Sequence, residues 1–232
     1  MPTPFTHLLA AAELLETGAL PSSLVDDLPA FLLGNIAPDV QVLSQQSREA
    51  THFFPVPLAG APPAEQTLFA RHPGLLPLSA LPPAQAAFMA GYLAHLVFDQ
   101  LWVRLIFEPV FGPAQGWETF KERLYLHNVL RAHWDALDLA RLAPTAAPAL
   151  AAAAPRGWLP FVEDRYLAAW RDLVAGQLGE AGGSRTVEAF AALLASPAEL
   201  ERRLFRYVQP SALDEYRAAA LAGSVEVIRA SW

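Results

Sequence analysis

Cysteine is absent from all 232 residues. That removes disulfides, thiolate nucleophiles and cysteine-type zinc sites together, and leaves His, Asp and Glu to hold any metal. Basic residues are scarce: 16 Lys and Arg against 23 Asp and Glu give a net charge of −7. This balance disfavours the broad cationic surface that a general nucleic-acid binder needs, so nucleic acid is not an expected partner. No run alternates apolar and polar residues over the length of a strand, and β-branched residues are few. The most apolar stretch, 86–98, falls short of the roughly 18–20 residues that cross a bilayer, so no transmembrane segment is expected. The N-terminus has no basic region, and His7 and Glu13 break its apolar stretch, a poor match to a signal peptide that predicts a cytoplasmic protein. Glycine-rich phosphate loops, a Gly-x-Ser-x-Gly elbow and a His-Glu-x-x-His motif are all missing.

What is present is hydrophobic content, 53% of the chain, rich in Ala and Leu and patterned with the 3.6-residue period. The fold class predicted is all-α, a multi-helix bundle in one domain spanning 1–232. Turn and cap signals place helices near 4–16, 22–33, 64–71, 83–108, 116–141, 160–179, 185–195, 197–207 and 211–230, with an Ala-rich stretch at 144–154. Gly34, Asn35 and Pro38 of "LGNIAPDV" mark a turn, and the proline-rich span 55–83 reads as mostly irregular. All six histidines lie at or before position 133. Any chemistry therefore belongs to helices within 1–141, and 156–232 supplies packing helices whose aromatic residues suit a core.

Several polar residues sit where the pattern calls for core. In "GYLAHLVFDQLW", residues 91–102, His95 and Asp99 share one face of a helix that is apolar almost all round. Burying either without a partner costs several kcal/mol, on the order expected for an unpaired ionisable group. An internal His–Asp hydrogen bond would satisfy both, and so would a metal. Gly91, one turn earlier, leaves room beside the pair. His7 lies on the apolar side of the first helix, and His52 stands between Thr51 and two phenylalanines in "EATHFF". Asp39 follows a proline in "GNIAPDV", where turn or cap chemistry also accounts for it. Taken together, three histidines and two aspartates in apolar surroundings form a donor set that zinc accepts. In the helix near 116–141, His127 shares a polar face with Arg131, Asp135 and Asp138 and reads as surface. His133, on the opposite apolar face, is the better inward candidate. His72, in the proline-rich span, is assigned no role.

His7, "GNIAPD", "THFF" and "GYLAHLVFDQLW", in this order along residues 1–110, make the chain resemble the zinc-dependent phospholipase C superfamily, which includes related single-strand nucleases. The resemblance implies an all-α bundle and a zinc-dependent hydrolase of phosphate esters, a phosphodiesterase that uses a metal-bound hydroxide on a small-molecule or lipid phosphodiester. It assigns Asp39, His52, His95 and Asp99 to one zinc and His7 with Asp99 to a second, Asp99 bridging, with Asp39 also ordering the catalytic water. Members of the superfamily hold a third zinc through further histidines. Here 100–113 contain none, and His133 with Asp135 or Asp138 offers a different geometry, so one or two ions are expected. The alternative from a different class is a non-catalytic binding or scaffold protein stapled by a structural zinc.

Overall fold

The computed structural model describes residues 1–112, 114–117, 119–179, 204–205 and 207–232. Among them the protein is all-helical with no strand. The chain runs α1 (Pro4–Glu16), α2 (Ser23–Asp26), α3 (Leu28–Ile36), a 3₁₀ turn (Ala37–Val40), α4 (Gln41–Ser44), α5 (Arg48–His52) and α6 (Ala64–Arg71). The rest comprises α7 (Pro83–Trp102), a π-helical extension (Val103–Phe111), α8 (Phe120–Arg141), α9 (Ala146–Ala151), α10 (Asp164–Gly179) and α11 (Pro210–Ser231). The helix expected near 185–195 and most of that near 197–207 lie outside the described residues.

Helix α7 is the axis of the fold. Its proline start, at a position where the missing N–H is no loss, and its Ala- and Leu-rich interior favour a long helix. From Ala86 to Gln100 every residue is buried, because α3, α11 and α1 surround it. The helical run from Pro83 to Phe111 is long and apolar enough to cross a membrane by composition, but 94% of its most apolar window is buried inside the protein. Beyond Trp102 the coil widens; Pro109 has no N–H to donate and cannot continue an α-helical ladder. Tyr216 of α11 donates to the Phe98 carbonyl at 3.1 Å, tying the C-terminal helix to this axis.

Two apolar clusters meet along α7. Leu8, Phe31, Phe88 and Leu93 belong to one, together with residues of α9 and α10. Phe98, Trp102, Leu130 and Tyr216 belong to the other. His95 and Asp99 fall at the boundary between the two clusters.

Three expectations about local structure are corrected. The segment 22–33 is two helices, broken at Asp27, with Pro29 opening the second. Gly34 and Asn35 do not turn the chain; α3 continues through them to Ile36, and the 3₁₀ turn follows. The cause is tertiary. A Cβ on Gly34 would stand 2.0 Å from the Phe88 carbonyl oxygen, and one on Gly91 2.2 Å from that of Phe31. The two glycines let α3 and α7 cross backbone to backbone, so Gly91 makes room for a helix rather than for the His95–Asp99 pair. The proline-rich span is mostly irregular around α6, as expected, and is pinned in place: Gln100 accepts from the Ala64 N–H at 2.9 Å, and Glu108 accepts from the Leu58 N–H at 2.7 Å.

Helix α8 buries part of its expected polar face along with Leu126 and Val129 of the apolar one. Its supposed surface residues His127, Asp135 and Asp138 are buried, while Leu137 is 51% exposed. The polar side is turned inward because partners from distant segments meet it. Trp102 donates to His127 Nε2 at 3.2 Å, and Arg217 of α11 reaches Asp138 at 3.0 Å and Glu13 of α1 at 2.8 Å.

Burial, with help from the N-terminal charge and from Arg131 and Arg123, pushes the His127 imidazole down to about 2. Below pH 6.5 the unfolded chain then binds a proton at this position that the folded protein refuses, so stability falls as pH falls through that window. His127→Gln, which keeps an acceptor for Trp102, is expected to remove about 1.4 kcal/mol per pH unit from the slope of stability against pH between about 4 and 6. Urea melts across that range check it; parallel slopes for the two proteins would show that His127 is not held neutral.

Candidate metal centre

Five of the six residues assigned to a metal from the sequence come together. His7 comes from the first turn of α1, Asp39 from the 3₁₀ turn, His52 from the last position of α5, and His95 and Asp99 from adjacent turns of α7. Each local structure aims its side chain. Phe53 takes a left-handed conformation (φ 63°) that stops α5 immediately after His52, and its N–H caps the Glu49 carbonyl. Tyr92 donates its hydroxyl hydrogen to the Thr51 carbonyl, fastening α5 to α7. The Trp170 indole donates to the Ile36 carbonyl at 2.8 Å and fixes the junction from α3 into the Asp39 turn.

The donor atoms fall into two overlapping groups, His7–His95–Asp99 and Asp39–His52–His95. Within each, the ligand atoms lie within 4.8 Å of one another. His52 Nε2 and His95 Nε2 are 3.3 Å apart. Asp99 Oδ2 stands 3.4 Å from His52 Nε2 and 3.7 Å from His95 Nε2, and Asp39 Oδ1 is 3.5 Å from His52 Nε2. On the other side His7 Nε2 faces Asp99 Oδ1 at 3.5 Å, with the His7 and His95 rings stacked at 3.8 Å. Four of the five side chains are at most 1% exposed; Asp39, at 24%, is the one that meets solvent.

The outer nitrogens of two histidines are already engaged. His95 Nδ1–H donates to the Asn35 carbonyl at 2.8 Å, and His52 Nδ1 lies 3.3 Å from the Arg48 carbonyl and 3.0 Å from the Thr51 hydroxyl. A histidine held in this way presents Nε2 as a lone pair, the arrangement that outer-shell partners impose on metal-binding imidazoles. Two such lone pairs facing each other need a proton or a cation between them. His7 Nε2 and Asp99 Oδ1 are buried with no hydrogen-bond partner among the described residues. These orphaned atoms and the nitrogen and oxygen donors fit a borderline cation such as zinc, which takes both atom types.

Protonation follows from the same packing. Burial works against charge on Asp99, but the His95 charge, and the imidazoles of His52, His7 and His95 set around it, hold its carboxyl well below the usual carboxylate range. Burial likewise disfavours a charged His95, yet the Asp99 carboxylate beside it raises the imidazole. His7 is pushed down to about 4, first by burial and then by the neighbouring His95 charge. For Asp39, burial is outweighed by the His52 hydrogen bond and by charge on His95 and His52, leaving it at about 2.

Arg48 was missed from the sequence. Its guanidinium bonds Asp99 Oδ2 at 2.7 Å and lies 4.5 Å over the Phe54 ring. Its place four residues before His52, one helical turn, was the available signal. His133 stands apart from the five. Its ring is half-buried, packs edge-on at 5.6 Å to Phe205, and belongs to neither donor group. The polar inward face of α8 carries His127 instead. No family model matches the chain, and no curated protein or solved structure is significantly similar to it.

Proposed function

We propose that the protein is a zinc-dependent hydrolase of phosphate esters, a phosphodiesterase similar to phospholipase C that acts on a small-molecule or lipid phosphodiester. The observation that carries this reading is the pair of His52 and His95 Nε2 atoms, 3.3 Å apart beside two aspartates, each imidazole being held from behind. His52, His95, Asp39 and Asp99 would hold one ion, with His7 beside them. Bound zinc supplies a Lewis acid for a phosphoryl oxygen and lowers the pKa of water toward neutrality. Asp39 is the residue to order that water. It is ionised at neutral pH, so it accepts a hydrogen bond, and it is the donor open to solvent. Arg48 balances the buried Asp99 charge and fixes its rotamer. Because it already occupies Asp99 Oδ2, one ion suits the site better than two.

A structural zinc is the second reading, favoured by the near-complete burial of His7, His52, His95 and Asp99. Metal analysis and turnover separate the two. After zinc loading and desalting, about one zinc per chain is expected in the parent protein and none in His52→Ala or His95→Ala. The parent should release nitrophenol from bis(p-nitrophenyl) phosphate at neutral pH, and Asp39→Asn should not. Absence of zinc from the loaded parent overturns both readings. Zinc whose removal lowers the melting temperature, without turnover of any phosphodiester offered, establishes the structural one.

A further inference from the structure

Arg48 is a cation that the centre carries as part of the chain. Its guanidinium donates to Asp99 Oδ2 at 2.7 Å and to the Met1 sulfur at 2.8 Å, and it lies over the Phe54 ring. With its side chain only 21% exposed, it is held on several sides, unlike an arginine of the surface. No chelator can remove it.

The other oxygen of Asp99 points to a different partner. Asp99 Oδ1 and His7 Nε2 are both buried without a hydrogen bond among the described residues, and they stand 3.5 Å apart. Two donors each about 2.0–2.2 Å from one tetrahedral zinc lie about 3.3–3.6 Å from each other, so the pair has the spacing of two ligands. His95 stacks on His7 but cannot serve both groups. Its Nδ1–H is committed to the Asn35 carbonyl, and its Nε2 faces His52. The pair of His7 and Asp99 Oδ1 is therefore the beginning of a second site that shares only Asp99 with the first.

Charge decides whether that second site can fill. Asp39 and Asp99 are the only anions among the five donors, and Arg48 already offsets one of them. With the imidazoles neutral, as ligation requires, one dication leaves the cluster a single positive charge in excess. A second dication would leave three, in a buried place where like charges are poorly screened. A carboxylate that bridges two ions gives an oxygen to each, and here Oδ2 is bonded to the guanidinium.

We propose that Arg48 stands in for a second metal ion: it sets the centre at one zinc, keeps the His7–Asp99 pair out of coordination, and balances Asp99 when no metal is bound. The proposal rests on the zinc reading given above and concerns how many ions that site accepts.

Zinc content after loading and desalting tests it in the parent and in two uncharged variants, Arg48→Met and Arg48→Gln. The parent should hold about one ion per chain and both variants about two. Adding His7→Ala should return Arg48→Met to about one, while His7→Ala alone should leave the parent's count unchanged. Chelator should lower the melting temperature of Arg48→Met by more than that of the parent, because only the variant needs metal to balance Asp99. A parent that takes up no zinc sinks the zinc reading, and this proposal with it. One ion in the parent and one in both uncharged variants leaves the zinc reading standing and overturns the role of Arg48. Two ions in the parent, or two retained in the double variant, would overturn it as well. So would failure of both uncharged variants to fold in excess zinc, since the second ion is meant to replace the lost charge.

Discussion

Asp99→Ala is expected to lose both the zinc proposed for the site and about 3–5 kcal/mol of folding stability, the range seen when one partner of a buried charge pair is removed. Its carboxylate, 1% exposed, is the group on which Arg48, His52, His95 and His7 converge. Alanine leaves the Arg48 guanidinium without a counter-charge and His95 without the neighbour that raises its pKa. Asp99→Asn keeps the shape and removes the charge, so it separates packing from electrostatics. It is expected to retain the helical spectrum, lose zinc, and be destabilised less than the alanine variant.

The pH dependence has a definite sign. The Asp99 carboxyl is depressed in the folded protein, so its stabilisation is present above the unfolded value, near 3.9, and is lost as pH falls through the depressed folded one. The gap in stability between the parent and Asp99→Asn should therefore be full at neutrality and close progressively in acid. Denaturant melts at pH 7 and in acid, with zinc content measured at neutrality, check both statements. A variant matching the parent in stability and zinc would show that the carboxylate neither pairs nor ligates.

Gly91→Ala should destabilise the fold by about 4 kcal/mol or more, beyond the usual 1–3 kcal/mol of overpacking, because the new methyl meets backbone rather than a movable side chain. It would lie 2.2 Å from the Phe31 carbonyl oxygen and 2.8 Å from both the backbone and side-chain nitrogens of Asn35. Helix propensity alone predicts the opposite sign, a gain of about 0.5–1 kcal/mol for alanine over glycine in mid-helix. Gly176→Ala in α10, where an added Cβ meets nothing within 4 Å, is the control and should be neutral or slightly stabilising. The Gly91 substitution should also reach the candidate metal centre. Separating α3 from α7 stretches the bond from His95 Nδ1–H to the Asn35 carbonyl that orients the imidazole. Thermal melts of the two variants, with zinc affinity beside them, make the comparison; equal melting temperatures would show that the helices do not need their close crossing.

Both results bear on how the centre is held. Its donors come from four separate elements, and only His95 and Asp99 are neighbours on one helix. Their mutual distances depend on α3 lying against α7, on Tyr92 holding α5, and on Trp170 holding the end of α3. A substitution remote from every ligand can thus change the site by moving an element.

The sequence by itself determined the helical class and the positions of the main helices, because the 3.6-residue apolar period, the proline starts and the glycine stops are local signals. α1, α6 and α11 lie where those signals put them. It also marked His7, His52, His95 and Asp99 as polar groups in apolar surroundings, since burial shows in the residues that flank them. Only the tertiary structure decided what those groups, and others, face. Arg48 on Asp99, the glycine-lined crossing of α3 and α7, and the inward polar side of α8 all depend on partners brought from elsewhere in the chain. Arg217 reaches Asp138 and Glu13 across 79 and 204 residues. The apolar face of α8 suggested an inward His133, but a helix turns toward the surface that satisfies it. Here that surface offered Trp102 to His127 and Arg217 to Asp138, so both went inside.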